Sequence, residues 1–135
     1  MRRAYIDANV ILRLITNDPP EMADAAQRTL RLVDDGSLEL VVDPIVIAES
    51  VWVLSSFYGF IPSEIAPVLR TFLAGEGIIC QDKTALLQAL ELYEDKNVDF
   101  VDAVLAVRML QLGVSEVYSF DRHFDRLEGI ERLEP

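Results

Sequence analysis

Ala4-Tyr5-Ile6-Asp7, followed directly by Ala8-Asn9-Val10-Ile11-Leu12-Arg13-Leu14-Ile15-Thr16, is the stretch that decides the fold. The first four residues predict a short buried strand that ends at an acid. In the next segment, Val10, Ile11, Leu14 and Ile15 recur at helical spacing, so residues 9–16 predict a helix. A strand that leads at once into a helix is the repeating arrangement of α/β proteins.

The same alternation continues through the rest of the chain. Further strands are predicted over 38–42, 77–80, 117–120 and 130–133. Further helices are predicted over 21–35, from 43–44 to 58, from 62 to about 75, from 82 to about 94 and from 99 to 112, with a helical turn over 122–127. Such alternation implies right-handed crossovers and a mainly parallel sheet of four to five strands. With helices on both faces this is a three-layer α/β/α sandwich, and we expect one domain over residues 1–135.

Composition narrows the functional classes. A net charge of −11 argues against a protein that coats nucleic acid through general charge attraction. Most of the 12 basic residues are Arg, which suits bidentate phosphate contacts. The longest apolar run, 44–56, is too short to span a bilayer and contains Glu49, and the first residues do not predict a signal peptide. With Cys80 alone there is no internal disulfide, so we expect a cytoplasmic protein and an inert thiol in a buried strand.

Three acids lie inside apolar runs, where an unpartnered carboxylate is costly. Glu49 and Asp102 each stand in a predicted helix that is apolar nearly all round, which predicts burial. Asp99 precedes Asp102 by one helical turn, so the two carboxylates share a face and repel each other. Alternatives stay open: Glu49 can pair with an arginine, Asp99 can cap its helix, and Asp102 can serve as a first-turn acid.

Two more acids follow predicted strands. Asp7 ends the first strand, and Asp121 ends the fourth. In open α/β sheets, sites form beyond the carboxyl ends of the strands. Each acid has an ordinary alternative as the N-cap of the helix after it, and Asn9 competes with Asp7 for that role.

One cause accounts for all five acids. Carboxylates that converge at one sheet edge cannot all stay ionised unless a cation is present. Oxygen ligands, with no thiolate pair and a single histidine, favour Mg²⁺ or Mn²⁺ over zinc. We expect His123 to be a surface or phosphate-proximal side chain rather than a ligand.

Four motifs, in this order, resemble the PIN domain family and in particular the small VapC-type toxin ribonucleases. They are residues 5–13 around Asp7, Glu49 in its apolar helix, Val98-Asp99-Phe100-Val101-Asp102-Ala103-Val104-Leu105-Ala106, and Tyr118-Ser119-Phe120-Asp121-Arg122-His123-Phe124. Each motif alone is weakly specific, but together they extend through essentially the whole chain. Ala8 departs from the pattern, because many relatives have Thr or Ser there.

The resemblance implies a PIN fold, metal-dependent endoribonuclease activity, a small antitoxin protein as partner and a toxin homodimer. It makes Asp7, Glu49 and Asp102 the principal catalytic metal carboxylates, with Asp121 as the fourth and Asp99 assisting. Hydrogen bonds that orient ligands or waters would come from two further side chains, Asn9 and Ser119.

The ligand set predicts the chemistry. Neither a cysteine nor a histidine suits the role of nucleophile or base, so we expect water activated by the metal to attack the phosphodiester. The products would carry a 5′-phosphate and a 3′-hydroxyl. Arg13 and Arg122 are candidate contacts to RNA phosphates, although a solvated or ion-paired arginine explains them equally well.

Two other functions fit parts of the sequence. An aspartyl-phosphate phosphatase or receiver domain also has an acid after its first strand. However, Asp7-Ala8-Asn9 lacks the second acid of an Asp-x-Asp motif, and neither Lys83 nor Lys96 is placed at a strand end, where a receiver domain needs a lysine. A non-catalytic binding module with the PIN fold is the other alternative, and the complete set of acids argues against it.

An aromatic-rich stretch suggests an interaction surface. It consists of Trp52, Phe57, Tyr58 and Phe60. These side chains can line a homodimer interface or an antitoxin groove, and packing in the core explains them equally well.

Overall fold

A computed structural model describes residues 2–135, and this range divides into two compact units. Unit 1 ends at Lys83, and unit 2 comprises Thr84–Pro135. Unit 1 contains β1 (Arg2–Tyr5), α1 (Ala8–Thr16), α2 (Pro20–Asp34), β2 (Leu38–Val41), α3 (Pro44–Ser56), α4 (Pro62–Leu73) and β3 (Ile78–Ile79). Unit 2 contains α5 (Lys83–Lys96, apart from its first residue), α6 (Phe100–Leu112), β4 (Glu116–Tyr118), a 3₁₀ helix (Arg122–Arg126) and β5 (Glu131–Leu133).

The sheet of unit 1 has the order β1-β2-β3, and all its strands are parallel. Ala4 pairs with Leu40, which pairs in turn with Ile78. Because the strands are parallel, their carboxyl ends lie along one edge of the sheet. Asp7 and Asp43 follow β1 and β2 at that edge.

The helices of unit 1 begin where the sequence supplies caps. Asp7 and Asp43 are the N-cap residues of α1 and α3, and each accepts a hydrogen bond from a backbone N–H of the first turn. Prolines occupy the first turns of α2, α3 and α4, where a missing N–H costs little. The core of the unit is aliphatic and includes Ile11, Leu12, Leu40, Val42, Ile47, Leu54, Leu69 and Leu73.

Unit 2 is built on two helices and a pair of short parallel strands. The rings of Tyr93 and Phe100 meet edge to face at 6.1 Å between centroids. Four alanines of the same two helices are also buried: Ala85, Ala89, Ala103 and Ala106. Strands β4 and β5 pair in parallel, with Val117 opposite Arg132, and the 3₁₀ helix contacts β5.

The predicted α/β class and the parallel strands are confirmed, and five strands lie within the described range. Their hydrogen bonds form a sheet of three and a sheet of two, whereas the sequence suggested one sheet. The predicted burial of the first strand is wrong, because β1 starts at Arg2 and exposes Arg2, Arg3 and Tyr5. One domain over 1–135 stays a prediction.

Two smaller expectations concern the membrane and the thiol. No helix among residues 2–135 is long and apolar enough to cross a membrane. Cys80 lies just after β3 and is half-buried rather than buried. Burial raises the pKa of the Cys80 thiol, which keeps it protonated and agrees with the predicted inertness.

Candidate active site

Asp7 joins the first strand to the first helix. Its Oδ1 accepts a hydrogen bond from the Val10 backbone N–H at 3.3 Å, so the predicted capping alternative is realised. The cap uses one carboxylate oxygen, and the side chain is exposed at the positive end of the α1 dipole. Asn9, in the first turn of α1, is also exposed.

Glu49 lies on α3, as predicted, but the predicted burial of its side chain is wrong. The helix packs Ile47 and Leu54 into the core, whereas Glu49 is exposed on another face with Ile45 and Trp52. Ile45 and Trp52 are 72% and 68% exposed. Because α3 is apolar all round, its sequence has no polar stripe that distinguishes the core face from the free face.

The predicted alternative of an arginine partner for Glu49 is also not found. Within residues 2–135, no hydrogen bond or ion pair joins Glu49 to another side chain. Its carboxylate is therefore free to bind a ligand from solution.

Asp102 and Asp121 come together in unit 2. Their carboxyl groups lie within hydrogen-bonding reach of each other, although 19 positions separate them in the chain. Two carboxylates can share such a bond only if one of them carries a proton. The proton belongs to Asp102. Partial burial, followed by the hydrogen bond and the negative charges of Asp121 and Asp99, raises its pKa to about 6.

Asp121 behaves in the opposite way because its surroundings stabilise the charged form. The backbone N–H of His123 donates a 2.9 Å hydrogen bond to Asp121 Oδ1 and is the main cause that lowers the pKa of this carboxyl. The His123 Nδ1 lies 3.3 Å from the same oxygen. His123 is exposed, as predicted for a surface side chain. Asp121 thus caps the 3₁₀ helix and contacts Asp102 at once.

Asp99 occupies the N-cap position of α6, but its side chain makes no capping hydrogen bond. The sequence left open whether this residue serves as a cap, and in the structure its carboxylate does not fill that role. Its charge instead acts on Asp102, whose pKa it helps to raise.

Ser119 holds the segment that carries Asp121. The Ser119 Oγ accepts a hydrogen bond from the Asp121 backbone N–H at 2.9 Å. The predicted orienting role of Ser119 therefore has a contact that can supply it. For Asn9, the described residues provide no corresponding contact to an acid.

The two candidate RNA-binding arginines differ. Arg13 is half-buried in unit 1, in a cavity of about 420 Å³ that Asn9 and Val10 also line. Its Nε is buried and has no hydrogen-bond partner among the described residues. Arg122 is exposed beside Asp121. Within residues 2–135, neither arginine forms an ion pair with an acid.

Sequence reasoning missed one residue in each unit. Asp43 follows β2 at the carboxyl edge and caps α3, and the Asp-Pro pair that starts a helix was the available signal. Arg132 donates to the Ser119 carbonyl at 3.1 Å, and no sequence pattern marks that contact.

The carboxylate oxygens of the candidate acids suit a hard divalent cation. The Asp102–Asp121 pair holds a proton below about pH 6, and a cation can take the place of that proton while relieving the repulsion. Carboxylate oxygens are the ligands that Mg²⁺ and Mn²⁺ prefer. Within either unit, the described residues contain no group of three acidic, His or Cys side chains placed to hold a metal. The complete predicted ligand set therefore stays a prediction.

The chain matches known proteins along most of its length. A family model for the PIN domain matches residues 4–130 of the chain. The chain is similar to the VapC ribonuclease of Aquifex aeolicus (strain VF5), with 28% identity over 130 residues, 96% of this chain and 95% of the relative. The matched range contains each of the five candidate acids.

Proposed function

The chain belongs to the PIN domain family, and from that premise we propose that it is a Mg²⁺- or Mn²⁺-dependent endoribonuclease, the toxin of a toxin–antitoxin pair. The observation that carries the proposal is the contact between the carboxyl groups of Asp102 and Asp121. Mutual contact of two acids is unfavourable unless a proton or a cation compensates it. The similarity to a protein named VapC ribonuclease supports RNA as the substrate.

The proposed metal ligands are the four acids Asp7, Glu49, Asp102 and Asp121, with Asp99 assisting. Asp7 and Glu49 have solvent-exposed carboxylates, and Asp102 and Asp121 are already in contact. A bound Mg²⁺ or Mn²⁺ would lower the pKa of water, so that hydroxide is available to attack a phosphodiester near neutral pH, and would stabilise negative charge on the phosphate.

The chain's own residues prepare the acids for this role. Ser119 and the His123 N–H fix the backbone and one oxygen of Asp121, so this carboxylate stays ionised and oriented. Asp102 holds a proton below about pH 6 and releases it above that value. Asp102 is therefore ready to bind a cation at neutral pH.

Substrate binding needs positive charge because the acids repel RNA. Arg122, exposed beside Asp121, is the proposed phosphate contact in unit 2. Arg13 is the proposed contact in unit 1, and its partnerless Nε supports a role in binding an anion. Arginine suits this task because its planar group donates two hydrogen bonds to one phosphate.

Partner binding is proposed for the exposed face of α3. Trp52 and Phe57 are 68% and 79% exposed, so packing in the core does not account for them. Tyr58 and Phe60 are half-buried, and the Tyr58 ring packs edge-on against Phe57 at 5.0 Å. An exposed apolar surface of this kind supports a homodimer or an antitoxin contact.

A toxin acting on cellular RNA would work in the cytoplasm, the location we propose.

The deciding experiment compares purified wild type with Asp102→Asn on a labelled pool of cellular RNA. We expect wild type to cleave in Mg²⁺ or Mn²⁺, to lose activity in EDTA and to regain it when the metal is restored. The new ends should carry 5′-phosphates, which adaptor ligation detects. Equal cleavage by both proteins would indicate a contaminant and leave only the binding-module alternative. Trapping of a phosphorylated Asp7 would instead favour the phosphatase or receiver alternative.

A further inference from the structure

Arg132 of unit 2 contacts three other residues through its guanidinium group. Its side chain, on β5, is only 11% exposed. The Nε lies 3.1 Å from Asp125 Oδ1, and Nη1 lies 3.3 Å from Glu134 Oε1. The same Nη1 donates a hydrogen bond to the Ser119 carbonyl oxygen at 3.1 Å. One guanidinium thus ties the 3₁₀ helix, the C-terminal end and the residue after β4 together.

Ser119, the residue that Arg132 holds, has each of its polar groups in use. Its N–H donates to the Leu133 carbonyl at 3.0 Å, and its carbonyl accepts from Arg132. Its Oγ accepts the Asp121 N–H at 2.9 Å. The chain of contacts therefore runs from Arg132 through Ser119 to Asp121, and from Asp121 to Asp102.

The charges around Arg132 exclude a direct role in binding RNA. Two carboxylates, those of Asp125 and Glu134, neutralise its positive charge within unit 2. Little of the side chain is accessible to a large anion. The guanidinium serves as a rigid fork that donates to several acceptors at once, which a lysine cannot reproduce.

We propose that Arg132 is a positioning residue, which acts through Ser119 to hold Asp121 in the orientation that binds the metal ion. This role rests on the proposed function, because it assumes that Asp121 is a metal ligand. Contacts behind a metal ligand that fix its orientation typically change metal affinity or activity by about 10–100-fold when removed.

The test uses the full chain and three variants. Arg132→Gln removes the fork and the charge, and Arg132→Lys keeps the charge but not the fork. Arg28→Gln is the matched control, since Arg28 is an exposed arginine on α2. The measurements are Mn²⁺ affinity by calorimetry without RNA, amide hydrogen exchange over residues 119–123, and kcat and KM for RNA cleavage.

We expect Arg132→Gln to weaken Mn²⁺ binding by about tenfold and to speed hydrogen exchange at the Asp121 amide. Arg132→Lys should have nearly the same effects. At fixed Mn²⁺, kcat should fall while KM for RNA stays unchanged, and excess Mn²⁺ should restore kcat. Arg28→Gln should match wild type. If Arg132→Gln does not fold, Ser119→Ala removes the next contact in the chain and should weaken Mn²⁺ binding in the same way.

The outcomes separate this inference from the proposed function. Metal-dependent cleavage by wild type, with unchanged Mn²⁺ affinity and exchange in Arg132→Gln and Ser119→Ala, would overturn the positioning role alone. Mn²⁺ binding that depends on Arg132 in a protein without ribonuclease activity would overturn the ribonuclease and keep the positioning role. A wild type that binds no Mn²⁺ would overturn both.

Discussion

The candidate acids of unit 1 and unit 2 occupy different surroundings. In unit 1, Asp7 and Glu49 are exposed, one as a helix cap and the other without a partner in the described range. In unit 2, Asp102 and Asp121 are in contact, with pKa values moved in opposite directions. In unit 2, the two carboxylates therefore need a proton or a cation to offset their mutual repulsion. In unit 1, each carboxylate is stabilised by water.

This difference separates two reasons why an acid stands in an apolar stretch. Asp102 stands in its helix where it meets another acid, at some electrostatic cost to the metal-free fold. Glu49 stands on a helix face that water reaches, with apolar neighbours that are themselves exposed. The repulsion between Asp102 and Asp121 is itself a reason to expect a bound cation. Among residues 2–135, Glu49 has no charged partner that gives such a reason, so its role must be tested by a functional measurement.

The largest predicted effect is on RNA cleavage. Asp102→Asn and Glu49→Gln should each reduce kcat by at least roughly 10²–10³-fold, since each removes a charge that stabilises the reacting groups. The measurement is single-turnover cleavage of a defined RNA in Mg²⁺. Similar losses would show that the two kinds of acid serve one reaction.

The control for cleavage is Glu64→Gln, because Glu64 is an exposed acid in the first turn of α4. This variant should cleave at the wild-type rate. If Glu49→Gln also kept full activity while Asp102→Asn lost it, Glu49 would be removed from the ligand set, and Asp7 would be the one proposed ligand left in unit 1.

The second effect is the pH dependence of metal binding. Because the pKa of Asp102 is about 6, a proton occupies this carboxyl at lower pH and must leave when a cation binds. Mn²⁺ affinity should therefore rise about tenfold per pH unit below pH 6 and level off above pH 7, as calorimetry can measure. Asp102→Asn should bind weakly and without this slope. A steep slope in that variant would assign the proton to another group.

Much of the fold could be predicted from the sequence, because local signals and packing agree there. The Asp43-Pro44 and Pro62 signals start α3 and α4 where predicted, and Gly113 ends α6. The burial of β1 and of Glu49 was wrongly predicted because apolar content alone does not show which face of an element meets the core. The faces are decided by packing between elements that are distant in sequence.

The candidate site could also be predicted only in part, because some of its contacts depend on packing between distant elements. Acids after strands and in apolar helices gave the residues, and the PIN domain match covers them. Asp102 and Asp121 are 19 positions apart in the sequence, and Arg132 and Ser119 are 13 positions apart. Both contacts depend on how the elements of unit 2 pack. No local spacing encodes contacts of that range.

A third, smaller effect concerns the helix starts of the two units. Asp7 caps α1 through its side chain, whereas Asp99 stands at the start of α6 without a capping hydrogen bond. Asp7→Ala should lower the free energy of unfolding by about 0.5–1 kcal/mol, and Asp99→Ala should change it less. Urea denaturation without metal measures both. A larger loss from Asp99→Ala would mean that its carboxylate stabilises α6 after all.

The smallest effect is the stability of the metal-free protein against pH. Folding raises the pKa of Asp102 from its ordinary 3.8 to about 6, so the folded state holds the proton more tightly. This contribution to stability is complete below about pH 4 and is lost as the pH rises through 6. Asp102→Asn has no such loss. The excess of its Tm over that of wild type should therefore be larger at pH 7.5 than at pH 4.5, by about 1–3 °C. Glu49→Gln, an exposed change, should follow wild type at both pH values within about 1 °C. A Tm difference for Asp102→Asn that is the same at both pH values would mean that packing, rather than the charge shared with Asp121, sets the difference between the two units.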